Sequence, residues 1–312
     1  MKKHILLLGI IGATSFANEY LGLPSPTLES GYTGISVSSN YKIINSKKSK
    51  VDMAKDIYRI TNNNNEVIFN NVPDEILNNY FLNINLGNLH SKTINSPNTS
   101  LLMGYSLDDN NTLGLGFSYN NIKGKYDGIK TKGNGYQLSL FHKLQIENSE
   151  SLTTVLYAGT LDEKLKRTNE KLNNDYWGIH TRYEFLEESY NLLFKGYRID
   201  IEGKQLKQKY KSKKNTNDSI NASLKGILKK EIQFANHSIG LEVLGGYKRE
   251  FMDTRIYKQV MKDDLKDSIS IETKANYKLA EKLDTYVSIE VKKSLNTSNK
   301  EVIGNIGLTY KF

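Results

Sequence analysis

From Tyr80 onward the chain alternates apolar and polar residues with a period of two, and that period limits what it can fold into. Successive side chains of a strand point to opposite faces, whereas a helix would need a period of 3.6. In Thr112 to Asn120 the odd positions are Leu113, Leu115, Phe117 and Tyr119, and the even ones are Thr, Gly, Gly, Ser and Asn. In Ile269 to Leu279 one face carries Ile269, Ile271, Ala275, Tyr277 and Leu279, and the other Ser270, Glu272, Lys274, Asn276 and Lys278. The pattern weakens around 151–161 and 190–201. Twelve strands are expected, near 80–90, 98–106, 111–121, 134–146, 151–161, 175–187, 189–201, 218–229, 237–249, 268–279, 282–293 and 301–312.

The connections add a second constraint. Those after even strands are short, such as 107–110, 147–150, residue 188 and 280–281. Those after odd strands are long and polar: 121–133, 162–174, 202–217 and 250–267. Membrane barrels have even strand numbers, short periplasmic turns and longer outer loops. This asymmetry, which a soluble sandwich has no reason to show, places both barrel ends on the short-turn side.

Alternation alone does not say which face meets lipid. The strands are about as long as the 9–11 residues a tilted strand needs to cross hydrocarbon. Their polar faces carry Lys and Glu throughout, as suits a wet lumen. Tyrosines such as Tyr105, Tyr119, Tyr136, Tyr247 and Tyr310 lie near strand ends, where a ring can sit in the apolar zone with its hydroxyl in water. The expected fold class is therefore all-β, a transmembrane antiparallel β-barrel of about 12 strands with apolar residues outward. Buried backbone groups in hydrocarbon must all pair, so strand 12 should close on strand 1.

The N-terminus reads as an export leader over 1–17. Lys2 and Lys3 precede a short apolar core from Ile5 to Ile11, and Ser15-Phe16-Ala17 supplies small residues for cleavage between Ala17 and Asn18. The core is too short to span a membrane as a helix. Residues 18–79 form a separate segment ahead of the barrel at 80–312. Gly31 to Tyr41 has one strand-like stretch, Lys47 to Ile60 fits a short amphipathic helix, Asn62–Asn65 reads as a linker, and Pro73 to Leu77 fits a helix start. The chain has no cysteine, so its stability must come from its core or from closing its sheet. Net charge is +9, falling to +7 once Lys2 and Lys3 leave. The positive charge is dispersed and lacks a basic-aromatic motif, which argues against nucleic acid. Lys, Asn and Ile are abundant throughout, so composition bias explains much of it.

The last strand is the most informative. Val302, Gly304, Ile306, Leu308, Tyr310 and Phe312 occupy one face and end the chain on an aromatic residue. Val302, Ile306, Leu308, Tyr310 and Phe312 thus look like the signal that outer-membrane proteins offer to the barrel assembly machinery, which can bind an edge strand by β-augmentation.

Several segments together resemble a family. Leu101-Leu102-Met103-Gly104-Tyr105, the turn Asp108–Asn111 and Thr112-Leu113-Gly114-Leu115-Gly116-Phe117-Ser118-Tyr119 are similar to the second and third strands of autotransporter translocator domains. Gly135-Tyr136-Gln137-Leu138-Ser139-Leu140-Phe141, Asp175-Tyr176-Trp177-Gly178 and the terminal strand continue the likeness over roughly 75–312. The resemblance implies a type V secretion translocator whose lumen holds a helix joined to an exported passenger. The chain departs from that pattern, since about sixty residues precede the barrel, too few for a long β-helical passenger. Asn78-Asn79 is similar to the asparagine pair at which some members cut themselves, and composition alone also accounts for it.

No metal, nucleotide or nucleophile motif occurs, so no enzyme activity and no cofactor is expected. His90, His142, His180 and His237 are isolated, and His180, on one strand with Trp177 and Arg182, is read as a solvated or girdle residue. The expected setting is the outer membrane, as a monomeric barrel touching its lipids and the assembly machinery. The function implied is a translocator barrel exposing a short N-terminal segment. A channel, a surface adhesin using the basic stretch Glu202–Asn217, and a hydrolase remain as alternatives.

Overall fold

The computed structural model describes residues 47–72, 80–126, 128–166, 171–210, 213–234, 237–252 and 267–312. Among the described residues one helix, α1 (Lys47–Asn71), is followed by twelve strands. These are β1 (Tyr80–Ser91), β2 (Ile94–Asp108), β3 (Asn111–Tyr126), β4 (Ile129–Glu147), β5 (Glu150–Leu165), β6 (Lys171–Tyr190), β7 (Leu193–Tyr210), β8 (Lys213–Gln233), β9 (Ser238–Met252), β10 (Asp267–Ala280), β11 (Leu283–Ser294) and β12 (Lys300–Lys311). Each strand pairs antiparallel with its sequence neighbours, and β12 closes on β1 with Ile84 opposite Leu308 and Leu86 opposite Ile306. No sheet edge is left unpaired, which is the condition for placing backbone in hydrocarbon.

The outward face is apolar as expected. Leu101, Met103, Leu113, Leu115, Leu138, Leu140, Ile271, Val287 and Ile289 are all exposed, although such residues are usually buried. Aromatic rings bound this band. Tyr80, Tyr105, Tyr183, Tyr197 and Tyr310 lie toward the short-turn end, and Tyr119, Tyr136, Trp177 and Tyr247 toward the other. On β6 Trp177 and Phe185 are eight positions apart; at roughly 3.3 Å per residue and about 40° of tilt they span about 20 Å, close to the height of a barrel's apolar band.

Most strands are longer than the alternation suggested. Three stretches read as long loops are largely sheet: 121–133 continues β3 and β4, 162–174 continues β5 and β6, and 202–217 continues β7 and β8. Pairing needs backbone groups only, so a ladder persists after its outer face turns polar, and apolar alternation marks the crossing segment rather than the whole strand. β2 likewise starts at Ile94 rather than near 98, because Pro97 interrupts the pattern without ending the extended backbone. Having no N–H, Pro97 leaves a gap in the ladder to β3 between Asn95 and Asn98. Most of the stretch read as a long loop at 250–267, residues 253–266, lies outside the described residues.

The turn between β6 and β7 falls at Asn191–Leu192, not at Glu188. Both turn residues have positive φ, 44° and 60°, as a two-residue hairpin turn of the favoured hand requires. Asn accepts this conformation readily and leucine does not, so this turn carries little sequence signal.

Candidate functional site: a helix seated in the lumen

α1 lies inside the barrel against β1 to β5 and β12. Its 25 residues rise about 37 Å, enough to cross a bilayer core of about 30 Å. The helix has a direction. Near its start Asp56 accepts from Thr93 at the β1–β2 hairpin and Arg59 pairs with Glu301 at the first turn of β12, both on the long-hairpin side. At its end Asn71 donates to Tyr286 at 2.9 Å and accepts from Asn83 at 2.7 Å, both near the short-turn end where β1 begins. The chain therefore descends through the lumen before entering the wall.

The wall facing the helix has two halves. Phe81, Leu89, Leu102, Ile122, Phe141, Val155 and Leu161, on β1 to β5, form a buried apolar cluster with Ile57, Ile60, Val67 and Ile68 of α1. The opposite half, mainly β6 to β11, is ionic. Arg182 pairs with Asp200 at 2.6 Å and with Glu66 of the helix at 2.8 Å, and its guanidinium lies 4.1 Å from the centre of the Phe69 ring. Glu202, wholly buried, accepts from Tyr157, from Asn221 at 2.7 Å and from Asn65 at 3.3 Å, beside Lys204 at 3.0 Å. Lys225 bridges Glu290 and Glu272 at 3.0 and 3.5 Å. The lumen is thus not uniformly wet and ionic.

Asn62–Asn65, expected to form a linker, are helical. Asparagine favours turns because its amide competes for nearby backbone groups. Here the wall supplies partners for three of the four instead. Asn62 accepts from Lys204 at 2.7 Å, Asn64 donates to Gln137 at 3.3 Å, and Asn65 accepts from Gln137 at 3.0 Å. A buried amide without such partners costs about 1–3 kcal/mol, so the seat outweighs the local preference.

Glycine makes room for rings that line this wall. Phe81 lies over Gly104, Phe141 over Gly114, Tyr157 over Gly178 and Tyr286 over Gly307, each directly opposite on the neighbouring strand. A methyl group at Gly104 or Gly114 would sit inside the ring facing it. Laid flat this way, large rings seal the sheet without filling the space the helix occupies. Gly116 likewise leaves a notch reached by Ile68.

Among the residues singled out from sequence, Val302, Ile306, Leu308, Tyr310 and Phe312 all point outward, and Phe312 donates its amide to Tyr80 at 3.0 Å. Ala17 and Asn18, the strand-like stretch in 31–41, Pro73 to Leu77 and Asn78-Asn79 lie outside the described residues. His180 is neither solvated nor in a girdle. It faces the lumen with Nε2 3.3 Å from Asp200 and its ring edge-on to Phe69, whereas Trp177, of opposite parity, faces out. The basic stretch 202–217 is also divided by parity, Lys204 pointing inward and Lys207 and Lys209 outward. The apolar half of the lumen went unread from sequence. Its signal was Phe81, Leu102, Ile122 and Phe141 recurring on the otherwise polar face of β1 to β4.

These features define an outer-membrane-type β-barrel with a helix threaded through its lumen. No family model matches the chain, and no curated protein sequence matches it. Solved structures do. The translocator domain of the autotransporter NalP from Neisseria meningitidis superposes with a TM-score of 0.61, covering 84% of this chain and 97% of that one at 10% identity. The β domain of the Bordetella autotransporter BrkA gives 0.54, covering 75% and 99% at 12% identity. LpxR from Salmonella typhimurium gives 0.53, covering 74% and 100% at 10% identity. The likeness is one of fold, and it matches the resemblance to autotransporter translocator domains read from the sequence.

Proposed function

We propose that this chain is an outer-membrane translocator-like barrel that holds its upstream segment at the cell surface through the lumenal helix, acting in display rather than catalysis. The observation that carries this is the direction of α1, whose start lies beside Thr93 and Glu301 at the long-hairpin end. A chain leaving upward from Lys47 emerges on the side opposite the short turns. In this reading residues 1–17 direct export and are cut between Ala17 and Asn18. Val302, Ile306, Leu308, Tyr310 and Phe312 recruit the barrel assembly machinery, and the barrel works as a monomer in contact with outer-membrane lipids, without a cofactor or nucleic acid.

The absence of cysteine makes the test clean. Single-cysteine variants Ser38→Cys, Lys125→Cys and Asp109→Cys are treated on intact cells with a membrane-impermeant maleimide. The expected result is labelling at 38 and 125, and labelling at 109 only after permeabilisation. Labelling at 125 without 38 would remove the display role and leave the orientation standing. Labelling at 109 on intact cells would overturn both. A pore in planar bilayers whose conductance is unchanged by deleting residues 47–72 would favour the channel reading instead.

A further inference from the structure

The outward faces of β3 and β4 run through the same sequence of chemistry toward the long-hairpin end. On β3 it is Leu115, Phe117, Tyr119, Asn121, Lys123 and Lys125; on β4 it is Leu140, Leu138, Tyr136, Asn134, Lys132 and Lys130. Hydrocarbon residues give way to ring hydroxyls, then to amides, then to ammonium groups. The lysines fall two outward steps beyond the tyrosines, and a lysine stem can reach back several ångströms toward the interface.

The lysines also oppose one another. Lys123 is the direct partner of Lys132, Lys132 of Lys164 and Lys164 of Lys171, one unbroken row across four strands, with Lys125 opposite Lys130 beside it. Like charges placed directly opposite on one sheet face are destabilising. All six are exposed, and among the described residues none forms an ion pair within 4.0 Å. The lumen, by contrast, interleaves its charges closely. Asp162 is the one acid in the adjoining outward row of β3 to β6, and Asp175, a row further down, is taken by Lys209 at 2.7 Å. A row of four ammonium groups, unneutralised among the described residues, calls for an anionic counterpart of several charges.

We propose that this row binds the phosphate groups of an outer-leaflet lipid headgroup bearing more than one phosphate. The lysines face away from the lumen, on the lipid-facing wall just past the girdle, where the anions present at high density are anchored to the membrane. Neighbouring strands are about 4.8 Å apart, so the row spans about 14 Å and offers several ammonium groups to one large headgroup. The inference rests on the orientation proposed above, which puts these hairpins in the outer leaflet; its test does not.

The full-length barrel in neutral detergent is titrated with bis-phosphorylated lipid A, with its dephosphorylated form and with inorganic phosphate, and bound lipid is counted by native mass spectrometry. Wild type should retain lipid A and release the dephosphorylated form. The quadruple variant K123Q/K132Q/K164Q/K171Q should bind lipid A on the order of 1,000-fold more weakly, at about 1 kcal/mol for each of four lysines at a charged lipid surface. Its side chains leave no buried group behind, and the single variant K132Q, from the centre of the row, serves as a second probe. Both variants should unfold at higher temperature than wild type when lipid A is absent, because repulsion is relieved. Equal retention by wild type and the quadruple variant overturns the proposal, as does equal binding of the dephosphorylated lipid. Displacement of lipid A by equimolar inorganic phosphate overturns it in favour of a soluble anion. These outcomes are independent of the labelling that tests orientation.

Discussion

Removing three carbons from Ile68 should loosen the lumenal helix more than removing a charge from Glu66 two residues away. Ile68 is 1% exposed and packs against Leu102 across the notch at Gly116. Ile→Ala at such a site costs about 2–5 kcal/mol, so the fraction of barrels with a vacated lumen should rise by roughly 30-fold or more, at about 1.4 kcal/mol per factor of ten. Glu66→Gln is gentler. Arg182 keeps Asp200 at 2.6 Å, and the new amide can still accept from it, so a charge-assisted hydrogen bond becomes a neutral one at a cost of about 1 kcal/mol, roughly fivefold. The assay is the open probability of single barrels in planar bilayers, with a variant lacking residues 47–72 defining the open level. An Ile68→Ala barrel as closed as wild type, or Glu66→Gln opening it further than Ile68→Ala, would refute the view that apolar contact supplies the larger share of the helix's hold.

The wall and the last strand give three more expectations. Gly104→Ala should lower stability by about 1–3 kcal/mol because its methyl would enter the Phe81 ring, whereas Gly245→Ala, with open space around it, should be neutral or slightly stabilising; unheated gel mobility across a temperature series reads both. Leu192→Gly should stabilise by about 1 kcal/mol, since φ of +60° strains leucine but not glycine, and no gain in the same series would show that the strain is compensated. Deleting Phe312 should cut the amount of barrel assembled in cells several-fold while leaving refolding into detergent micelles intact, because its ring makes no lumenal contact; equal losses in both settings would make its role structural.

How much of this was legible follows from what sets each feature. Strand number, barrel closure and the outward face could be read because a lipid-facing residue must be apolar, and Leu113, Leu115 and Phe117 announce it. Strand length could not, since beyond Tyr119 and Tyr136 the ladder continues with nothing apolar to mark it. The helix was half legible. Ile57, Tyr58 and Ile60 gave its first turns away, but Asn62–Asn65 read as a break because their partners, Gln137, Glu202 and Lys204, lie 70 residues or more along the chain. Parity alone would have sorted His180 and Arg182 from Trp177, had the helix that they face been known to pass there.

The two-sided lumen explains how so polar a helix is held at all. A wall charged all round would ask α1 to bury charge on every side, and buried ion pairs return little net stability because desolvation offsets their attraction. A wall apolar all round would need a helix with no place for Asn62–Asn65, and such a helix would resemble a membrane span. Instead Ile57, Ile60, Val67 and Ile68 meet the greasy half and each contributes roughly 1.5–3 kcal/mol when fully buried. Arg59, Asn65 and Glu66 meet fixed partners that set rotation and depth. Affinity and register thus come from opposite sides of the same helix.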